Sequence, residues 1–335
     1  MKKIIAVFPG QGSQHVGMGK DLYDNFKTAK EVFEEASDAI SVNLKKLCFD
    51  GPESDLTLTM NTQPCLLTVS VAAFRVAERE RDFAPWAAAG HSLGEYSALV
   101  AAGAFPLATA VRWVHERGKA MQAAVPAGEG TMAALLNLED AQVAELCERA
   151  TKLAAEKRKA AGPDSDLTVE PIVQPANFNA PGQIVIAGSV DAVAEAIALI
   201  KSQPDSYPRG KAIPLSVSAP FHCRLMKPAR DRMAEIFSGA STRQKAQIPK
   251  FPYVPNRTAR LHAEPGVIFD LLTDQVDHPV MWRQSVETLL DAGAVGVVEF
   301  GPGKVLQGLC KRIAGAKDKD LTLAGVADAS GLQGI

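Results

Sequence analysis

Net charge is almost missing from this sequence. Among its 335 residues, 36 Lys and Arg stand against 38 Asp and Glu, leaving a formal −2. A dedicated nucleic-acid binder needs surplus cations to neutralise phosphates, so that class is excluded. Long apolar runs are absent too. None approaches the 18 residues of a membrane-spanning helix, and residues 98–105 form one of the longest, so no membrane partner is expected. Residues 4–9, after Lys2 and Lys3, are too short for the apolar part of a secretory signal, and a cytoplasmic location is expected. Cysteine is scarce: Cys48, Cys65, Cys147, Cys223 and Cys310 are odd in number and far apart, giving neither a disulfide framework nor a C-x-x-C pair. The six histidines form no H-E-x-x-H set, so no metal site is expected. Asn256-Arg257-Thr258 fits the glycosylation acceptor pattern, which carries no meaning without a secretory signal. Disorder is excluded as well, because 47% of the residues are hydrophobic.

What is present is an alternation of short apolar runs with longer helical patterns, the mark of an α/β fold with a parallel sheet. Residues 4–8 read as a buried first strand, 64–80 as a helix and 87–90 as a short strand. Helical sequence follows over 93–102, and again from Pro106 to about residue 124. The Pro- and Gly-containing segment 126–130 then opens a different pattern. Strand-like 131–136 leads to a helix whose Val143, Leu146, Cys147, Ala150, Leu153 and Ala154 share one face. Strands at 172–179 and 183–188, a helix at 190–202 and a strand near 212–215 complete a β-α-β-β-α-β unit of the ferredoxin-like kind. The α/β pattern resumes with helices at 225–237 and 265–276 and strands at 253–255 and 296–300. The expected architecture is an α/β-hydrolase-like core, 1–126 and 209–335, interrupted by a small ferredoxin-like subdomain at 127–208.

Gly90-His91-Ser92-Leu93-Gly94 matches G-x-S-x-G between a short apolar strand and a helix. A sharp turn there lifts the Ser92 hydroxyl out of the backbone, and the Leu93 N–H faces a developing oxyanion at a helix N-terminus. A serine nucleophile needs a base. His222, in an apolar segment before a helix, fits that role, and fits a satisfied core histidine equally. His91 adjoins Ser92, where its side chain diverges from the hydroxyl. Pro9-Gly10-Gln11-Gly12-Ser13-Gln14 follows the first strand but fails both G-x-G-x-x-G and the P-loop pattern. A loop of backbone donors facing the turn is compatible with its glycines.

Taken in order, Phe8–Gln14, Gly90–Tyr96, Arg117-Gly118, Asn177–Gln183, Pro220-Phe221-His222 and Phe300–Lys304 carry a resemblance over nearly the whole chain. It resembles the malonyl-CoA:acyl carrier protein transacylase family, shared with polyketide synthase acyltransferase domains. The resemblance implies that Ser92 attacks the thioester of malonyl-CoA with His222 as base, and that the phosphopantetheine thiol of acyl carrier protein then takes the malonyl group. It assigns the oxyanion to the backbone N–H groups of Gln11 and Leu93. The backbone carbonyl near Gln275 orients His222, and the Arg117 guanidinium binds the malonyl carboxylate. His91, Asn177, Asn179 and Phe221 belong to the pocket and its surroundings, and Phe221 stands where many of these enzymes have Ser. No cofactor is implied. The partner is an acidic carrier protein, with Arg209, Lys211 and Lys304 as docking candidates, and the chain is expected to be a monomer. Residues 155–171 are longer than is usual and read as a solvated extension. The competing readings are another extender unit, a Ser-His thioesterase or hydrolase, and a silent docking subunit.

Overall fold

A computed structural model describes residues 2–161, 167–239 and 246–335. The chain begins with β1 (Ile4–Phe8), α1 (Lys20–Asn25), α2 (Lys27–Ile40), α3 (Leu44–Asp50), α4 (Glu53–Leu56) and α5 (Thr59–Arg81). Next come β2 (Ala87–Gly90), α6 (Leu93–Ala101) and α7 (Leu107–Ala123). An excursion follows: β3 (Gly130–Leu136), α8 (Asp140–Ala161), β4 (Val173–Ala180), β5 (Gln183–Ser189), α9 (Val190–Ser202) and β6 (Lys211–Pro214). The return adds α10 (Lys227–Ser238), β7 (Tyr253–Val254), α11 (Ile268–Asp274), α12 (Trp282–Asp291), β8 (Gly296–Phe300), α13 (Val305–Ala316) and β9 (Thr322–Val326).

The larger sheet runs β7-β2-β1-β8-β9, and all its pairs are parallel. Its central strand β1 alternates as a strand must. Ala6 and Phe8 join the apolar cluster with α2, α5, α6 and α7, whereas Ile5 and Val7 join the cluster with α12 and α13. Both faces are thereby covered. Phe8 lies opposite Gly90, so the Gly10 loop and the Ser92 turn leave the carboxyl edge of the sheet side by side. That edge is where open parallel sheets place their ligands.

The smaller sheet is antiparallel, in the order β4-β5-β3-β6. Helices α8 and α9 cover one face with Val143, Leu146, Ala192 and Ala196. Met132, Ala176, Val185 and Ala187 join the cluster of the larger domain from the other face. Strand β4 is also sewn to the core by backbone: Phe178 N–H donates to Val280 O and Val280 N–H to Ala176 O, each at 2.9 Å.

Several expectations need correction. The strand expected near 212–215 is β6, which pairs with β3 from Leu136↔Lys211 to Ala133↔Pro214, so the small sheet runs past the 127–208 bounds given to the subdomain. The helix expected over 64–80 starts at Thr59 and passes through Pro64. Pro64 has no N–H for the Met60 carbonyl, and the ring Nδ1–H of His115 donates to that carbonyl instead, at 3.0 Å. Helix α12 and edge strand β9 were not expected at all. Of the 155–171 extension, α8 takes residues up to Ala161, and residues 162–166 lie outside the described residues. Among the described residues no helix is long and apolar enough to cross a membrane.

Candidate active site

Ser92 sits at the turn from β2 into α6 with φ 51° and ψ −106°. Small neighbours make this turn possible. A Cβ on Gly90 would lie 1.9 Å from the Gly94 carbonyl, and one on Gly94 would lie 2.0 Å from Phe8 O. Asn256 then fastens the turn, its Oδ1 accepting from Ser92 N–H and its Nδ2 donating to Gly90 O, both at 2.6 Å. Asn256 is fully buried. The side chain that matched a glycosylation pattern is a structural clamp.

The Ser92 hydroxyl meets two groups. His222 Nε2 is 2.7 Å from Oγ, and Arg117 Nη2 donates to the same oxygen at 3.2 Å. His222 Nδ1–H donates to the Gln275 carbonyl at 2.9 Å, which fixes the tautomer with Nε2 free to accept a proton. Burial, reinforced by the nearby Arg117 charge, pushes His222 down to about 3. The imidazole is therefore neutral, as a base must be. Among the described residues no acid touches it: a Ser-His pair oriented by a carbonyl is what the residues form.

Arg117 comes from α7 and is 1% exposed. Its fork is held open by two acceptors, Gln63 Oε1 on Nη1 and Gln275 Oε1 on Nη2, each at 2.8 Å. The Tyr96 ring lies beneath the guanidinium, 5.6 Å from centroid to Cζ. Gln275 also donates from Nε2 to Ser92 O at 2.9 Å and to Glu95 Oε2 at 2.8 Å. One glutamine thus touches the nucleophile's backbone, the base, the arginine and a buried acid.

These groups open onto a cavity of about 320 Å³, lined among others by Gln11, Ser92, Leu93, Arg117, Phe221 and His222. His91 and Asn177 also border it. Asn179 stands behind, its Oδ1 2.9 Å from His91 Nε2, so the His91 ring does turn away from Ser92. Leu93 is the first residue of α6, where N–H groups lack intrahelical acceptors. The Gln11 side chain is tied to Thr59 Oγ1 at 3.3 Å, which anchors the Gly loop over the same space.

The docking candidates divide. Lys304 is exposed after β8, at the carboxyl edge where Ser92 lies. Arg209 and Lys211 are exposed too, just before and at the start of β6. Antiparallel pairing sets Lys211 opposite Leu136, at the far end of β6 from cavity-lining Leu215, about 13 Å along the strand. Three contributors escaped the sequence reading: Gln63, Glu95 and the Asn256 side chain. Only Glu95 had a signal, its place within the turn motif.

Comparison with known proteins agrees with this geometry. Residues 5–327 match the acyl transferase domain family. The malonyl CoA-acyl carrier protein transacylase of Escherichia coli K12 is 44% identical over 313 residues, 93% of either chain. A crystal structure of an acyl carrier protein S-malonyltransferase from Vibrio cholerae superposes with a TM-score of 0.86 at 40% identity, covering 99% of both chains. A structure of a type II polyketide synthase acyl carrier protein with its malonyl-transacylase gives the same score and identity, covering 99% of this chain and 98% of that one. With similarity of this depth along almost its whole length, the chain belongs to the malonyl-CoA:acyl carrier protein transacylase family.

Proposed function

We propose that the protein moves a malonyl group from malonyl-CoA to the phosphopantetheine thiol of acyl carrier protein by way of an ester on Ser92. His222 Nε2 takes the proton of Ser92 Oγ as that oxygen adds to the thioester carbon. The carbonyl oxygen gains the charge and is held by the N–H groups of Gln11 and Leu93. Collapse breaks the C–S bond, and His222 returns its proton to the departing CoA sulfur. The carrier thiol then repeats the sequence in reverse order, leaving Ser92 free. Arg117 holds the malonyl carboxylate and so separates malonyl from acetyl substrates. No cofactor takes part.

The observation that carries this reading is a serine hydroxyl bonded at once to a neutral imidazole and to a buried guanidinium. A plain hydrolase has no use for the second. Within this reading the core of the chain is hydrolase-like and the smaller lobe ferredoxin-like, with the lobe closing over the cavity as its far wall. The protein acts as a monomer in the cytoplasm, and Lys304 is the docking candidate best placed for an acidic carrier.

Intact-protein mass spectrometry tests the course. Malonyl-CoA should leave one malonyl group on Ser92, and holo-carrier protein should remove it. No adduct would leave only a docking role. Loss of the adduct to water as fast as to the carrier thiol would make the protein a hydrolase.

A further inference from the structure

Glu95 takes part in no step above, yet it is fully buried beside the reacting groups. Its Oε2 accepts from Asn256 N–H at 2.9 Å and from Gln275 Nε2–H at 2.8 Å, whereas its Oε1 has no partner among the described residues. The other end of the same amide, Gln275 Oε1, accepts from Arg117. The amide therefore lies with its donor end on the acid and its acceptor end on the cation, the direction a dipole takes between opposite charges. Arg117 itself donates to two amides and a hydroxyl, so its charge is balanced through Gln275 and not by a touching acid.

We propose that Glu95 is the resting counter-ion of Arg117, coupled to it through the Gln275 amide, and that an entering malonyl carboxylate displaces it from that role. This rests on the malonyl reading of Arg117. Two carboxylates then face one guanidinium, and the one without a covalent tie to the substrate is neutralised by a proton from solvent. The unpartnered Oε1 can receive that proton without breaking a bond, because both contacts to Glu95 are made at Oε2.

Among the described residues, the groups facing Glu95 are all shifted out of the neutral range or lie far above it. The ionisable groups about Glu95 are Arg117 from α7, Tyr96 on its own helix, Tyr253 from β7, and the histidines flanking Ser92, His91 and His222. Burial pushes both tyrosines up and both histidines down. Glu95 itself is pushed up to about 7 by burial, against the pull of Asn256, Gln275 and Arg117. A second negative charge raises it further, so malonyl binding takes up a proton. By linkage, affinity for malonyl-CoA falls as pH rises through about 7, by up to tenfold per unit, until the bound form also ionises.

Calorimetry of the Ser92→Ala protein with malonyl-CoA at pH 7.5, in phosphate and in Tris, reads the proton directly. We expect uptake of a large fraction of one proton with malonyl-CoA and none with acetyl-CoA. The uptake should vanish when Glu95→Gln is added. Equal heats in the two buffers, or uptake that survives Glu95→Gln, would overturn the proposal. In the protein with Ser92 intact, the KM for malonyl-CoA loading should rise between pH 7 and 8, and that rise should be absent in Glu95→Gln. A flat profile in both refutes it as well. Failure of the underlying reading looks different: the unsubstituted protein would then form no malonyl adduct, and the proposal would fall with that reading.

Discussion

Replacing Arg117 by alanine should convert a malonyl-selective site into an acetyl-tolerant one. The guanidinium is 1% exposed, and its Nη1 and Nη2 are oriented by Gln63 and Gln275 at 2.8 Å. A malonyl carboxylate replacing the Ser92 contact would gain two charge-assisted bonds, each worth about 1.5–3 kcal/mol. Losing both removes roughly 3–6 kcal/mol, which is on the order of 10²–10⁴ in kcat/KM for malonyl-CoA. Acetyl-CoA has no carboxylate to lose, and its loading should hold or increase in the enlarged space. The substitution also strands two buried amide oxygens, at about 1–3 kcal/mol each, so a lower melting temperature is expected. Arg117→Lys keeps the charge but not the fork and should recover only part of the malonyl rate. The assay is rapid-quench mass spectrometry of Ser92 loading from each thioester at equal concentration. Acetyl loading doubles as the check that the site is folded. A malonyl-to-acetyl ratio within threefold of the unsubstituted protein's would refute the role given to Arg117.

Three further outcomes follow from the buried groups around the turn. Glu95 holds its proton up to about pH 7 when folded, against an ordinary 4.5, so the folded state binds more protons across that window and loses stability as pH rises. Glu95→Gln abolishes this loss, and its stability relative to the unsubstituted protein should improve by about 2.5 kcal/mol between pH 5 and pH 8. Urea melts at both pH values measure it, and an unchanged gap would contradict the assignment. His222, pushed down to about 3, stays neutral well below the ordinary histidine range, so acetyl loading should be level from pH 8 to pH 5. Half-loss of rate near pH 6.5 would show an imidazole in ordinary surroundings. Gly94→Ala drives a Cβ to 2.0 Å from Phe8 O, a backbone atom that cannot swing aside, and should cost about 3 kcal/mol or more, or prevent folding. A denaturation midpoint near the parent's would mean that the contact between β1 and α6 is looser than described.

What the sequence discloses here is whatever the chain writes locally. The first strand, the Ser92 turn and the β5–α9 pair are legible because apolar spacing and glycine sit within a few residues of one another. His222 is legible for the same reason, since its apolar segment ends at a helix. Gln63 is not, because it lies in a helix that reads as apolar around it and meets Arg117 only through folding, 54 residues away. Asn256 is camouflaged by a surface-type neighbourhood, although its side chain reaches back 164 residues to Ser92. Closeness to His222 in sequence likewise does not give position along a strand: β6 sets Lys211 opposite Leu136, four residues and about 13 Å from cavity-lining Leu215. Strand β9 is half-exposed along most of its length and so lacks the alternation that identifies a strand.

Both reacting residues occupy backbone that side chains avoid: Ser92 at φ 51° and His222 at φ 61°. Glycine would rest more easily in either place, by about 1–3 kcal/mol. A lineage released from the need to turn over substrate would thus gain stability by discarding first one and then the other, with the fold around them untouched. The retention of both side chains is in this sense a record of use, written in conformational strain. It also marks where a search for inactive descendants of this protein should look first.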